Sequence, residues 1–101
     1  MAVLNEVIHQ AARLRIMAAL AALEPETQVS FQDLKELLDL TDGNLSVHLR
    51  KLEEAGYIRV TKTFAQRKPQ TYIELTTAGQ HAFNEHLTVL KEILRGQKEF
   101  L

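Results

Sequence analysis

The stretch "TDGNLSVHLRKLEEAGYI", residues 41–58, decides how the chain folds. Thr41 is a residue type that caps helix N-termini. Helix formers follow, and Gly56 stops the run because glycine takes the left-handed conformation readily. Straight after it the residues become aromatic and β-branched. The expectation is a helix over 42–55 feeding directly into a strand. On a helical wheel Leu45, Leu49 and Leu52 share one face with His48 at its edge, so that face packs inward. Gly43, Asn44, Val47, Arg50 and Lys51 fall on the opposite side, flanked by Ser46.

Upstream, "SFQD" (Ser30–Asp33) reads as a capping box that starts a short helix from Phe31 to Leu38, with Phe31, Leu34, Leu37 and Leu38 inward. "DLTD" then interrupts, so two short helices meet at a tight turn. Helical spacing from Leu4 through Ile8 to Leu20 predicts a first helix over 4–23, ended near Pro25. Downstream the period changes to two. Ile58 and Val60 point one way while Tyr57, Arg59 and Thr61 point the other, and the pattern returns in "TYIELT" (Thr71–Thr76). That is a β-hairpin joined by the polar, basic loop "FAQRKPQ" with Pro69 near its tip. Thr76 is placed to cap a long last helix over 77–98. The elements add up to one mostly helical α+β domain over residues 1–101.

The chain has 101 residues, 46% hydrophobic, enough for one modest core. It has no cysteine, which removes disulfides, thiolate ligands and cysteine nucleophiles. The longest nearly uncharged run, "IMAALAAL" (Ile16–Leu23), is far shorter than the ~20 apolar residues of a membrane span, and the N-terminus lacks the features of a secretory signal. A cytoplasmic protein is expected. The net charge of −1 hides a division along the chain. Between Gly43 and Ile73 the cations Arg50, Lys51, Arg59, Lys62, Arg67 and Lys68 face only Glu53 and Glu54, a net +4 that leaves −5 for the remainder. A basic segment on an acidic scaffold fits a chain that turns one face to nucleic acid.

The outward face of the 42–55 helix has the chemistry for that face. In a helix-turn-helix the N-terminal half of the second helix meets base edges in the major groove. Asn44 can bond a base such as adenine, Ser46 is a short donor and acceptor, Val47 can meet a thymine methyl, and Arg50 can reach guanine or phosphate. Gly43 adds no side chain, so the helix start can approach the DNA backbone.

"RLRIMAAL" (13–20), "FQDLKELLDLTDGNLSVHLRKLEEAGYI" (31–58), "KTFAQRKPQTYIELT" (62–76) and "TTAGQHAF" (76–83) resemble successive parts of the winged helix-turn-helix transcriptional regulators, in particular the small stand-alone regulators related to MarR-like and ArsR-like repressors. The resemblance covers nearly the whole chain. It implies that the 42–55 helix is a recognition helix in the major groove and that the 62–70 hairpin is a wing on the backbone or minor groove. It also implies that the terminal helices form a homodimer and that the protein is a repressor of transcription. The DNA-contacting set would be Thr41, Gly43, Asn44, Ser46, Val47, His48, Arg50, Lys51, Lys62, Arg67 and Lys68. The chain departs from metal-sensing ArsR-like proteins in lacking their cysteine pair.

Each of these readings has a plainer counterpart. The cations can be a solvated surface. Asn44 and Ser46 can be cap and turn residues. His48 can make a buried hydrogen bond or a phosphate contact, and His9 has no evident partner. His81, Glu85 and His86 could hold zinc between two copies of the last helix, or form an ordinary polar face, the reading preferred here. No metal or other cofactor is expected. An enzyme finds no support, since no phosphate loop, activated nucleophile or paired carboxylates can be read. A winged-helix module that binds protein is the competing function.

The ends of the chain bear on assembly. Ala78, Ala82, Phe83, Leu87, Leu90, Ile93 and Leu94 form a stripe at three- and four-residue spacing on a helix roughly 33 Å long, more than a small core can cover. Val3, Leu4, Val7, Ile8, Phe100 and Leu101 add apolar surface. A two-fold homodimer is expected, with Leu4, Ile8, Phe83, Leu87, Leu90, Ile93 and Leu94 at its interface and an inverted-repeat operator as its DNA site.

Overall fold

A computed structural model describes residues 4–99 of the chain. In order the elements are α1 (Glu6–His9), α2 (Ala11–Ala21), β1 (Val29–Ser30), α3 (Phe31–Leu38), α4 (Asp42–Glu54), β2 (Ile58–Ala65), β3 (Lys68–Leu75) and α5 (Thr77–Glu99). Val3, Phe100 and Leu101 lie outside the described residues.

The single first helix expected over 4–23 is two helices. Gln10 is extended (φ −62°, ψ 131°), and its side chain caps α2 by accepting from the Arg13 N–H at 3.0 Å. Asn5 caps α1 in the same way, accepting from the N–H groups of Val7 and Ile8. The Arg13 Nε donates to the Val7 carbonyl, one of the acceptors that the short helix leaves without a partner. Side-chain caps thus replace the turn of helix that an apolar period alone would continue, and the break directs Ile8 fully into the core.

The two central helices start where the sequence places them. Ser30 Oγ accepts from the Asp33 N–H at 3.0 Å, and Thr41 Oγ1 accepts from the Asn44 N–H at 3.1 Å. Among the described residues the return bond from the Asp33 side chain does not form. α3 ends at Asp39, which is left-handed (φ 54°), and the Arg15 guanidinium donates to the Leu38 carbonyl at 2.6 Å. Across the turn Lys35 pairs with Asp42 at 2.8 Å. Leu37, expected inward, is exposed, because Leu34 and Leu38 at i, i+4 take the whole core-facing stripe of a helix only eight residues long.

The sheet has three antiparallel strands in the order β1-β3-β2, one more than the expected hairpin. β1 is two residues, pairing Val29 with Ile73 and Ser30 with Tyr72, too short to show a period of two. The hairpin is also longer than expected, because β2 and β3 stay paired out to Ala65 and Lys68. Only Gln66 and Arg67 remain as the turn, both with positive φ (52° and 64°), which is the pattern of a two-residue type I′ turn. Pro69 therefore sits within β3, not at the tip. In such a hairpin the closing pair is hydrogen-bonded and the next pair, Phe64 with Pro69, is not, so the missing N–H takes no bond from β2.

Ile8, Ile16, Met17, Leu20, Leu34, Leu38, Leu45, Leu49, Leu52, Ile58, Ile73 and Phe83 form the buried core. Gly56 (φ +81°) ends the passage from α4, and the Tyr57 carbonyl accepts from the Thr76 N–H. Thr76 Oγ1 donates to the Gly56 carbonyl and accepts from the Gly79 N–H, which caps α5 as expected. A Cβ on Gly79 would lie 2.0 Å from the Tyr57 carbonyl oxygen, so α5 approaches this turn closely because residue 79 has no side chain. From there α5 runs out of the core and the molecule measures 58 × 25 × 22 Å.

Candidate nucleic-acid interface

Helix α4 presents the faces read from its sequence. Leu45, Leu49 and Leu52 are buried beneath α4, while Thr41, Gly43, Asn44, Ser46, Val47, Arg50 and Lys51 are exposed. Val47 is 51% exposed, an apolar side chain turned to solvent among polar neighbours. A Cβ added at Gly43 would meet nothing within 4 Å. The packing of the chain therefore does not require glycine there. Thr41 Oγ1 takes up the Asn44 N–H, and a helix start of this kind favours an anion at the N–H groups that its cap leaves free.

His48 faces the other way. It is half-buried, and its Nδ1 lies 3.3 Å from Nη1 of Arg13 on α2. An arginine has no acceptor, so Nδ1 accepts and the ring is neutral. Burial, and after it the Arg13 charge, hold the His48 pKa below its ordinary value. The hydrogen bond inside the protein, one of the two readings of this histidine in the sequence, is formed.

The β2–β3 hairpin, the wing, stands beside α4. Ser46, Leu49, Arg50 and Glu53 of α4 line a cleft of about 380 Å³ together with Phe31, Val60, Lys62 and Thr71. The structure thus brings Ser46, Arg50 and Lys62 to one opening. Arg67 and Lys68 lie farther out, at the end of the hairpin, and both are exposed. Arg59, counted with the cations of the segment, is on the opposite face of β2 and pairs with Glu74 at 3.1 Å. Glu53 and Thr71 belong to the cleft although their spacing in the sequence gave no sign of it, since they reach it from the far end of α4 and from β3.

Elsewhere the candidates separate. His81 and Glu85 are exposed, but His86 is 1% exposed and turned inward, its ring centroid 5.8 Å from that of His9. Among the described residues no group of three His, Asp or Glu side chains is arranged to hold a metal. Both ring nitrogens of His86 are buried without a hydrogen-bond partner. Burial, then the neighbouring His9, lower its pKa. Ile8 and Phe83, expected at a dimer interface, are taken up by the core of their own chain, while Leu4, Leu87 and Leu90 are partly covered. Ile93 and Leu94 remain 38% and 60% exposed. No helix among the described residues is long and apolar enough to cross a membrane.

Comparison with known proteins agrees with this architecture. The chain is 39% identical over 82 residues to an uncharacterised protein of Methanocaldococcus jannaschii, covering 81% of this chain and 86% of that one. A solved transcriptional regulator homologue from Pyrococcus horikoshii OT3 is 33% identical and superposes with a TM-score of 0.82, covering 92% of this chain and 89% of that one. MepR from S. aureus, solved in complex with DNA, shares the fold with a TM-score of 0.72 at 18% identity, over 93% of this chain and 74% of its own. The profile of the family described as the winged helix DNA-binding domain matches residues 12–94, and with the relatives above it shows that the chain belongs to that family.

Proposed function

We propose that the chain is a sequence-specific double-stranded DNA-binding transcriptional regulator, a repressor that acts as a homodimer on an inverted repeat. The observation that carries this reading is the shared opening between α4 and the wing, where Ser46 and Arg50 face Lys62. Asn44, Ser46, Val47 and Arg50 read base edges in the major groove, and Gly43 lets the helix start come close to a phosphate. Lys51, Lys62, Arg67 and Lys68 meet the backbone or the adjacent minor groove. Thr41 holds the start of the helix through its cap, and His48 fixes the helix to α2 through Nδ1 and meets a phosphate by its remaining edge. The function needs no cofactor and no catalysis. A module that binds protein alone would have no use for cations on both the helix front and the hairpin end.

The deciding experiment is binding of the full chain to duplex DNA as salt is raised. Each neutralised phosphate releases condensed counterions, so affinity falls steeply, with a log–log slope of about −0.9 per contact. Absence of binding at low salt, or binding that salt leaves unchanged, would move the chain to the protein-binding alternative. Selection from a randomised duplex library tests the specificity, and an inverted repeat is the expected outcome.

A further inference from the structure

Phe64 is 70% exposed and takes no part in the hydrophobic core. Its place in the hairpin follows from the strand register. Residues directly opposite one another share a face, as do residues two apart along a strand. Ile58 pairs with Leu75, Val60 with Ile73, Lys62 with Thr71 and Phe64 with Pro69, so these four pairs lie on one face. At its root this face is core, with Ile58 and Ile73 buried. One step farther out, Lys62 and Thr71 line the cleft shared with Ser46 and Arg50 of α4. The next step is Phe64 with Pro69, past the end of the core and on the side of the wing that looks toward the recognition helix.

An aromatic ring and a proline so placed form a small apolar tip, and the cations Lys62, Arg67 and Lys68 each lie within two positions of one of them along the chain. From Ala55 to Ile73 the chain carries no acidic residue. A surface of this kind matches a polyanion that also offers apolar area, and the minor groove does so through its sugar edges and base faces. Phenylalanine and proline are among the side chains that enter base steps there.

We infer that Phe64, backed by Pro69, is an apolar contact of the wing with duplex DNA, entering the minor groove and partly unstacking one base step. The inference rests on the DNA-binding reading above and adds a residue and a mode of recognition to it. Because unstacking is easiest at flexible pyrimidine–purine steps, the wing would favour TA or CA/TG at that position without a hydrogen bond to any base.

The test uses a duplex that the wild-type chain enriches from a randomised library, with 2-aminopurine placed in turn at each step flanking the recognition-helix site. With the wild type the fluorescence rises at one step in each half-site. Phe64→Ala abolishes the rise and weakens binding about tenfold, as loss of an aromatic–base contact does, while the salt slope stays unchanged because no charge is removed. Phe64→Leu retains part of both effects. Thermal melting of the free variants, close to that of the wild type, shows that the fold is intact. If the wild type enriches no duplex, the DNA reading falls and the wedge with it. If the wild type binds and Phe64→Ala matches it, or if no step brightens with the wild type, only the wedge is overturned.

Discussion

Arg13 and His48 join α2 to α4 through a 3.3 Å contact between Nη1 and Nδ1 that forms only while the imidazole is neutral. His86, buried without a hydrogen-bond partner against His9, likewise stays in place only as the neutral ring. Burial is the larger cause of the lowered pKa at both, with the Arg13 charge second at His48 and His9 second at His86. The unfolded chain therefore takes up protons near the ordinary histidine value of about 6.5, while the folded chain resists until a lower pH. Stability is complete above that value and declines as the pH falls through it toward the lowered folded values. Urea midpoints at about pH 7.5 and about pH 5.5 check this, with the lower midpoint expected in acid. His86→Phe, which removes two buried unsatisfied nitrogens, should raise the midpoint at neutral pH and flatten its fall in acid. A midpoint that rises on acidification would contradict both assignments.

Gly43 separates stability from binding. A methyl group at this position meets nothing in the chain, and an alanine in a helix is favoured over glycine by roughly 0.5–1 kcal/mol. Gly43→Ala should thus leave the fold as stable or slightly more stable, while holding the front of α4 away from the phosphate it approaches. The expected result is an unchanged or higher melting temperature together with weaker DNA binding. Unimpaired binding would show that the helix start does not come close to the backbone.

The hairpin end makes a related prediction. Gln66 and Arg67 both have positive φ, a conformation that disfavours side chains larger than those of glycine or asparagine by about 1 kcal/mol each. Arg67→Gly should stabilise the hairpin and still weaken DNA binding, lowering the salt slope by about one contact on specific and random DNA alike. Asn44→Ala should do the reverse, relaxing preference at one or two base pairs by about 1–3 kcal/mol with little change on random DNA. Titrations of both variants against the two kinds of duplex decide it, and equal losses for Asn44→Ala would assign base reading to another residue.

What the sequence made legible follows the range of the interactions involved. α3, α4 and their caps were readable because a helix start is local, fixed by Ser30 or Thr41 acting on a residue three positions on. The break at Gln10 was not, since glutamine rarely marks a cap and the apolar period of residues 4–23 crosses it without a fault. β1 was invisible because two residues carry no period, and its pairing with β3 is set by chain 42 and 44 positions away. In the candidate site the exposed front of α4 was legible from helical spacing alone. Thr71, Glu53 and the direction of Phe64 depend on how the hairpin lies against α4, which no local pattern records. The inward turn of His86 was hidden for the same reason, since its neighbour His9 lies on α1.

The last prediction concerns assembly. Ile8 and Phe83 complete the core of their own chain, so the surface left for a second copy lies farther along α5, around Leu90, Ile93 and Leu94. With the molecule 58 Å long and about 25 Å across, this part of α5 projects beyond the other elements. Two exposed aliphatic side chains in adjacent positions on a projecting helix gain free energy by being covered, at about 25 cal/mol per Å² of apolar surface removed from water. The packing of two such helices about a two-fold axis covers both copies at once and sets the two recognition helices in the paired arrangement that an inverted repeat requires, about 34 Å apart. The wild type should therefore sediment at twice 11.5 kDa at micromolar concentration. Ile93→Lys with Leu94→Lys should sediment at the single-chain mass with an unchanged circular dichroism spectrum, because neither side chain belongs to the buried core. This variant should also lose most of its affinity for an inverted repeat while keeping weak, salt-sensitive binding to a single half-site. A wild type that sediments at 11.5 kDa would remove the dimer, and a lysine variant that remains dimeric would move the interface to another surface.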